Sequence, residues 1–294
     1  MATRKESSAP ISTKAVDRLI LDAIAIEDQS ALDAGELGFM ARAMVQATMP
    51  HSKVSGNEFV RTNGGYTLTI LAPSKIGLPY GVIPRLLLAW LTTEAVKTRQ
   101  RDIELGDSLS AFMRELGMIP TGGRWGSITR LKEQTTRLFS ANISAIYKDA
   151  KGVKLINQNI AEHAVLWWDA KTPEQASLWK SSVRLSERFF NEVIDKPIPI
   201  DMRALKALKK SPMALDIYMW LTYRASYLKN PSFISWDLLA RQFGSGYTEV
   251  RNFKASFIAE LKKVVTVYAG AKVDATGDGL TVYPMKTHVQ KQIK

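Results

Sequence analysis

Apolar residues recur at helical spacing in the first part of the chain and then give way to alternating segments. Spacings of three and four predict two helices, over residues 14–27 and 30–48, with Pro50 as a stop. Residues 59–62 and 66–70 alternate in polarity around an Asn-Gly-Gly turn, which predicts a β-hairpin. After a polar leader, the chain is therefore expected to begin with helices and a hairpin.

A second group of elements begins at Pro84, which opens a helix so apolar that it must lie in a core. A short strand is predicted at residues 103–105, and Asp107 or Ser108 is expected to cap the next helix. A Gly-rich turn then leads into an amphipathic helix over residues 127–139. Alternating segments follow at residues 143–148, 153–157, 164–168 and 178–185. Helix, strand, helix, turn, helix and β-hairpin is the order of a winged helix-turn-helix module.

The same order recurs in the second half of the chain. Its elements are a helix capped by Ser211, a strand at 232–235, a short helix from Trp236 ended by glycines near 244, a long helix at 247–264, and a hairpin of residues 265–268 and 280–283. The tripeptide Trp-Leu-Thr also recurs, at Trp90 and at Trp220. The pattern indicates a weak internal repeat.

The predicted fold class is α+β, with two tandem winged helix-turn-helix domains and a small N-terminal helical and hairpin extension. Residues 1–13 are short and polar and predict a mobile leader. The N-terminal winged-helix domain with its extension takes residues 14–186, and the C-terminal winged-helix domain takes residues 187–294. The joint is expected within residues 186–210, where Pro197 and Pro199 cannot lie inside a helix.

The helix at residues 127–139 is interpreted as a recognition helix. One side is expected to pack, through Ile128, Leu131, Thr135, Leu138 and Phe139. The other side offers guanidinium groups and short hydroxyls after a turn with free N–H groups, as major-groove reading requires. An ordinary amphipathic surface helix would show the same pattern. Ser127 is expected to N-cap the helix at 127–139. The helix at 247–264 has the same arrangement of apolar and polar sides.

Side chains on these two helices are assigned to the DNA by their chemistry. Base edges are assigned to Arg130, Arg137, Arg251 and Asn252, and phosphates to Arg124, Lys132, Lys262 and Lys263. Further DNA-binding residues are expected to be Ser127, Thr129, Gln134, Thr248 and Ser256. Outside the helices, Trp125, Trp167 and Trp168 could stack on bases or lie in the core. Lys206, Lys209 and Lys210 could contact phosphates or form a solvated face.

Charge narrows the choice of partner. The 294 residues hold 40 Lys and Arg against 28 Asp and Glu, a net charge of +12, with a pI near 9.7 and 46% hydrophobic content. A folded basic protein suggests a polyanionic partner, nucleic acid before an anionic membrane. No apolar run is long enough to cross a bilayer and no signal peptide is visible, so a cytoplasmic protein without a membrane partner is expected. The absence of cysteine excludes disulfides and Cys-ligated zinc.

Catalytic patterns are missing from the sequence, so a protein that is not an enzyme, with no metal and no cofactor, is expected. No Gly-Lys-Ser/Thr motif could hold a triphosphate, and His51, His163 and His288 are isolated. Residues 274–279 resemble the start of a calcium loop, but position 12 is Met285 instead of glutamate, and a turn between strands explains them better. A nickase is therefore disfavoured.

Four runs within residues 37–284 resemble the plasmid-encoded RepA-type replication initiators of bacteria. They are residues 77–90 (GLPYGVIPRLLLAW), 106–117 (GDSLSAFMRELG), 120–125 (PTGGRW) and 211–218 (SPMALDIY). The resemblance implies a protein that binds directly repeated double-stranded sites (iterons) at a plasmid origin, opens AT-rich DNA and recruits the host replication initiator and replicative helicase. It also implies tandem winged-helix domains, monomers that initiate, and dimers that repress the initiator's own promoter.

Two other functions remain open from the residues alone. A winged-helix transcriptional repressor without an initiator role would use the same helices. A structural protein that coats DNA without sequence preference would need only the charge. The turn-and-helix pattern, which occurs twice, argues against the coating protein.

Overall fold

The computed structural model of the chain describes residues 13–42, 45, 48–149, 152–166, 181–244 and 246–289. The predicted leader lies outside these ranges apart from Thr13, where the first helix begins. Within them, no helix is both long and apolar enough to cross a membrane.

The first part of the chain consists of helices and short strands in the following order. They are α1 (Thr13–Asp28), β1 (Leu37–Met40), β2 (Glu58–Asn63), β3 (Tyr66–Leu71), α2 (Val82–Thr98), β4 (Asp102–Glu104), α3 (Leu109–Glu115), α4 (Ser127–Ser140), β5 (Asn142–Asp149), β6 (Gly152–Asn159), β7 (Ala161–Val165) and β8 (Ser182–Leu185).

The second part continues from residue 187. Its elements are α5 (Glu187–Asp195), β9 (Ile198–Asp201), α6 (Met202–Leu208), α7 (Pro212–Ala225), β10 (Ser232–Ser235), α8 (Trp236–Phe243), α9 (Val250–Val267), β11 (Val273–Ala275) and β12 (Gly279–Val282).

An internal repeat is visible in the topology. The first unit, which we define as α2, β4, α3, α4, β7 and β8, holds a three-stranded sheet in the order β4-β8-β7. The second unit, defined as α7, β10, α8, α9, β11 and β12, holds a sheet in the order β10-β12-β11. In both sheets the last strand lies between the other two. The structure thus confirms the repeat that the sequence pattern predicted.

The first helix of each unit lies in the core, as the apolar sequence requires. Residues 84–93 of α2 and 213–222 of α7 are buried all round. Ser211 accepts a hydrogen bond from the Ala214 N–H and Pro212 begins α7, as predicted. The two helices also contact each other, which places the two units side by side.

The hairpin of residues 143–148 and 153–157 has a different place from the one predicted. It forms β5 and β6, but it extends the hairpin β2-β3 into a four-stranded sheet and does not join β4. Ile143 pairs with Ile70 and Ala145 with Leu68, and all four side chains are buried. This shared apolar face explains the choice of partner. The first unit takes its hairpin strands from β7 and β8, later in the chain.

Two further predictions were wrong. The helix predicted at 30–48 includes β1, which pairs antiparallel with β9 across more than 150 residues of sequence. The strand predicted at 265–268 is instead the end of α9, because Val264 and Val267 continue the buried face of that helix. The second hairpin uses β11, at residues 273–275. Local periodicity could not reveal either arrangement, since both depend on distant packing partners.

A buried ion pair joins the two units. Arg85, near the start of α2, donates from Nε to Asp216 Oδ1 at 2.6 Å and from Nη2 to Oδ2 at 2.7 Å. His51 Nε2 lies 2.8 Å from the same carboxylate of α7. Burial favours the neutral form of Asp216, but the charge of Arg85 and the hydrogen bond from His51 outweigh it, so the pKa of Asp216 is lowered. The cluster fixes α2 against α7.

Protein stability should decrease as the pH falls below 6.5, the ordinary histidine value. Burial lowers the pKa of both His51 and His288, so the unfolded chain binds protons at a higher pH than the folded chain. Falling pH therefore favours unfolding, down to the folded pKa values. Urea unfolding between neutral and mildly acidic pH measures the slope. His51→Gln with His288→Gln should flatten it, and an unchanged slope in that variant would contradict this origin.

Candidate nucleic-acid interface

The turn before α4 is held by a dense set of hydrogen bonds. Gly126, and not Ser127, is the N-cap of α4, because the backbone is extended at Gly126 and already helical at Ser127, whose side chain is buried. Ser127 Oγ accepts from the Thr121 N–H at 2.8 Å and donates to the Ile119 carbonyl at 2.6 Å. These hydrogen bonds close the turn and engage the hydroxyl that was predicted to contact DNA.

Only some of the polar side chains predicted for the outward face of α4 are exposed there. Arg124, Thr129 and Arg130 are exposed around the start of the helix, and Lys132 is half-buried. The hydroxyl of Thr129 donates to the Gly123 carbonyl at 2.9 Å, which ties it to the turn. Arg130 is therefore the long donor side chain best placed at this end of α4, with Arg124 beside it in the turn.

The side chains of Arg137 and Gln134 form hydrogen bonds within the protein. Arg137 donates to Glu133 Oε1 and to the Leu78 carbonyl, and its guanidinium lies over the Tyr80 ring. Gln134 is buried, and its Oε1 accepts from the Tyr80 N–H at 2.9 Å. Both side chains hold residues 77–80 against α4. The contacts that Arg137 and Gln134 already make argue against the DNA contacts predicted for them.

The start of α9 forms the corresponding surface of the second unit. Thr248, Arg251 and Asn252 are exposed there, and Ser256 is half-buried one turn later. Lys262 is exposed near the other end, roughly 16 Å along the helix from Arg251. Lys263 lies beside it and donates to Glu260 Oε1 at 2.6 Å. The structure thus brings together the first three residues and separates them from the two lysines.

Lys254 was not among the predicted site residues. Its Nζ donates to the Gly277 carbonyl at 2.8 Å and lies 5.2 Å from the centroid of the Trp236 ring. The turn between β11 and β12 therefore packs beside the start of α9. The only sequence signal was helical spacing from Arg251, which placed Lys254 at the edge of the predicted face.

The lysines near the predicted joint are mostly engaged in packing. Lys206 Nζ contacts both oxygens of Glu36 at 2.8 Å, and Lys209 Nζ donates to the Gly117 carbonyl. Burial, and then the nearby charge of Arg18, lowers the pKa of Lys209. Of the three, Lys210 alone is exposed.

The tryptophans considered for stacking fall into two groups. Trp125 is 82% exposed in the turn before α4, so it is not a core residue. Trp167 and Trp168 lie outside the described residues. Among the residues that are described, no group of His, Asp and Glu is arranged to hold a metal ion.

Comparisons with known proteins converge on one family and one fold. The sequence matches the family described as plasmid encoded RepA protein over residues 78–238, more than half of the chain. The structure resembles the crystal structure of the RctB domains 2-3, RctB-155-483, with a TM-score of 0.53 at 12% identity, covering 82% of this chain and 96% of that chain. A selenomethionine form of domain 2 and domain 3 of RctB gives a TM-score of 0.53 at 11% identity, covering 85% and 97%. At these identities the likeness shows the mixed α and β fold alone. No curated protein matches the sequence.

Proposed function

The chain belongs to the plasmid-encoded RepA family, and from that premise we propose that it is a plasmid replication initiator that binds directly repeated sites at its origin. The first and second units act as two winged-helix domains, with α4 and α9 as their reading helices. The protein opens adjacent AT-rich DNA and recruits the host replication initiator and replicative helicase. It is not an enzyme in this proposal, and it needs no cofactor.

One observation carries the DNA-binding proposal: the same unit occurs twice, and each time a helix after a Gly-containing turn begins with exposed polar side chains. Arg130 lies at this position in α4, and Arg251 and Asn252 lie there in α9. A recognition helix contacts base edges with its N-terminal residues. With a net charge of +12, the chain also has the electrostatics that DNA binding requires.

Self-association is part of the proposal, because a dimer would repress the initiator's own promoter. The strand β6 supports it, since β6 lies at an edge of the four-stranded sheet with Val153 and Leu155 exposed. An edge strand with exposed apolar side chains is able to pair with a second copy. In this scheme the monomer binds one direct repeat and the dimer binds the operator.

A winged-helix repressor without an initiator role is the second candidate, because the same helices would serve it. DNA opening separates the two functions. Permanganate should modify thymines in the AT-rich DNA beside the repeats when the protein and the host initiator are added to a supercoiled origin plasmid. Protection of the repeats without any thymine reactivity, when the host initiator is present, would favour the repressor.

Lys262→Ala should weaken binding to every DNA sequence by a similar factor and reduce the slope of log K against log salt by about one. The reason is that an exposed lysine remote from the start of α9 meets phosphate and not a base edge. Titrations at several salt concentrations, with a repeat and with a scrambled duplex, measure both quantities. Lys53→Ala, an exposed lysine outside both units, is the control. A loss confined to the repeat would show that Lys262 reads sequence.

A further inference from the structure

Two large apolar side chains point into solvent from the turn between α3 and α4. Ile119 is 79% exposed and Trp125 is 82% exposed. Such exposure is uncommon for tryptophan, which is usually largely buried in folded proteins. The duplex-reading role proposed for α4 gives Trp125 no function, because α4 reads base edges through its polar face.

The turn holds Trp125 in place through its backbone. A Cβ at Gly126 would lie 2.2 Å from the Thr121 carbonyl oxygen, so the two chain segments touch there. The Ser127 N–H donates to Thr121 Oγ1 at 2.9 Å, and the Ile128 N–H donates to the Thr121 carbonyl at 3.2 Å. Because the turn is already ordered, a ligand at Trp125 meets a surface that needs little reorganisation.

Arg124 completes the arrangement beside the ring. Its Cζ lies over the Trp125 ring, 5.1 Å from the centroid, so the guanidinium occupies one indole face. Because the Trp125 side chain is otherwise exposed, the opposite face is accessible to a ligand. An open indole face next to a positive charge suits a nucleotide, with the base stacked on the ring and the phosphate at the arginine. A base within a duplex is unavailable for this contact, since both of its faces are stacked on neighbouring bases.

We propose that Trp125, with Arg124, is a stacking site for an unpaired base of single-stranded DNA. The site lies immediately before the reading helix α4, so a strand that leaves the duplex bound by α4 would pass over it. This inference rests on the proposed function and gives it a second ligand. The bound repeat and the opened strand would contact the same unit, the repeat through Arg130 and the opened strand through Trp125.

The test compares binding of single-stranded and duplex DNA by the full chain. Trp125→Ala should weaken binding of a fluorescein-labelled oligo(dT) of about 16 nucleotides by roughly 5- to 100-fold, the effect of losing one base–aromatic stack. Trp125→Phe should retain part of the affinity. Binding of a duplex repeat should change by less than about twofold for both variants, because no base face is accessible there. Tyr227→Ala, which removes a half-exposed ring from the segment after α7, is the control and should leave both affinities unchanged.

Three results would overturn the stacking site. The first is an unchanged oligo(dT) affinity in Trp125→Ala. The second is a loss on the duplex repeat that disappears when uracil replaces thymine, which would make Trp125 a reader of thymine methyl groups. The third is a wild-type protein that binds repeats but not oligo(dT), which leaves the initiator proposal intact. Failure to bind either DNA would refute the proposed function itself.

Discussion

Replacing Arg130 and Arg251 together by alanine should abolish base preference at the positions of the repeat that the two arginines contact. The affinity for the repeat should therefore move towards the affinity for random DNA. Each arginine lies exposed at the start of a reading helix, where a bidentate contact to a base edge contributes about 1–3 kcal/mol of discrimination. Because the two side chains lie on different helices, their losses should add, to about 2–6 kcal/mol. Competition between the repeat and single-base-pair variants measures the loss position by position.

Charge and geometry can be separated in the same experiment. Arg130→Lys and Arg251→Lys keep the positive charge but cannot form the bidentate contact, so they should lose discrimination while keeping most non-specific affinity. Arg18→Ala removes an exposed arginine from α1 and is the matched control. If the alanine variants bind more weakly but rank the base-pair variants as the wild type does, the two arginines contact phosphate and the base-edge assignment is refuted.

Asp216→Ala should destabilise the protein by about 3–5 kcal/mol, because it leaves the buried Arg85 without its carboxylate. The same change removes the contact that fixes α2 against α7, so the spacing between the two reading helices should become less defined. Urea unfolding at neutral pH measures the stability. Affinity for the repeat, measured well below the unfolding midpoint, should fall more than affinity for scrambled DNA.

Matched variants test whether the buried charge is the cause. Asp216→Asn keeps the shape and the acceptor oxygen but not the charge, and should also destabilise. Replacing both partners, with Arg85→Met and Asp216→Leu, should recover much of the stability, because no unpaired charge remains buried. Equal destabilisation by the single and double replacements would show that the other contacts of these side chains stabilise the site more than the ion pair does. Those contacts include the hydrogen bonds from Arg85 to the carbonyls of residues 49, 50 and 81.

The sequence predicted those parts of the fold that depend on local patterns. The buried helices α2 and α7, the hairpin β2-β3 and the order of the second unit through α9 all follow from periodicity and capping. The pairing of β1 with β9 and the transfer of β5-β6 to another sheet did not follow, because register and partner are set by apolar faces far apart in the chain. The end of α9 was misassigned because β-branched residues at 264–267 also suit a strand.

For the candidate site, the sequence predicted the two helices but not the hydrogen-bond partners of every side chain on them. Ser127, Gln134 and Arg137 have the chemistry of DNA contacts, yet their hydrogen bonds hold the turn and residues 77–80. A helical wheel gives the direction of a side chain and not the partners that other segments bring to it. Arg85 and Asp216 fall within two of the runs that resemble the RepA family, and only the structure shows that they meet.

Footprinting on the DNA that flanks the coding sequence tests the central claim most directly, namely that one chain reads one repeat with two helices. At moderate salt and with excess random competitor, the account predicts regularly spaced protection in units of roughly 20 bp, the span of two successive major grooves on one face. A single inverted-repeat footprint would indicate a dimeric repressor. Salt-sensitive retention of every fragment without any protection would mean non-specific electrostatic binding and would contradict the account.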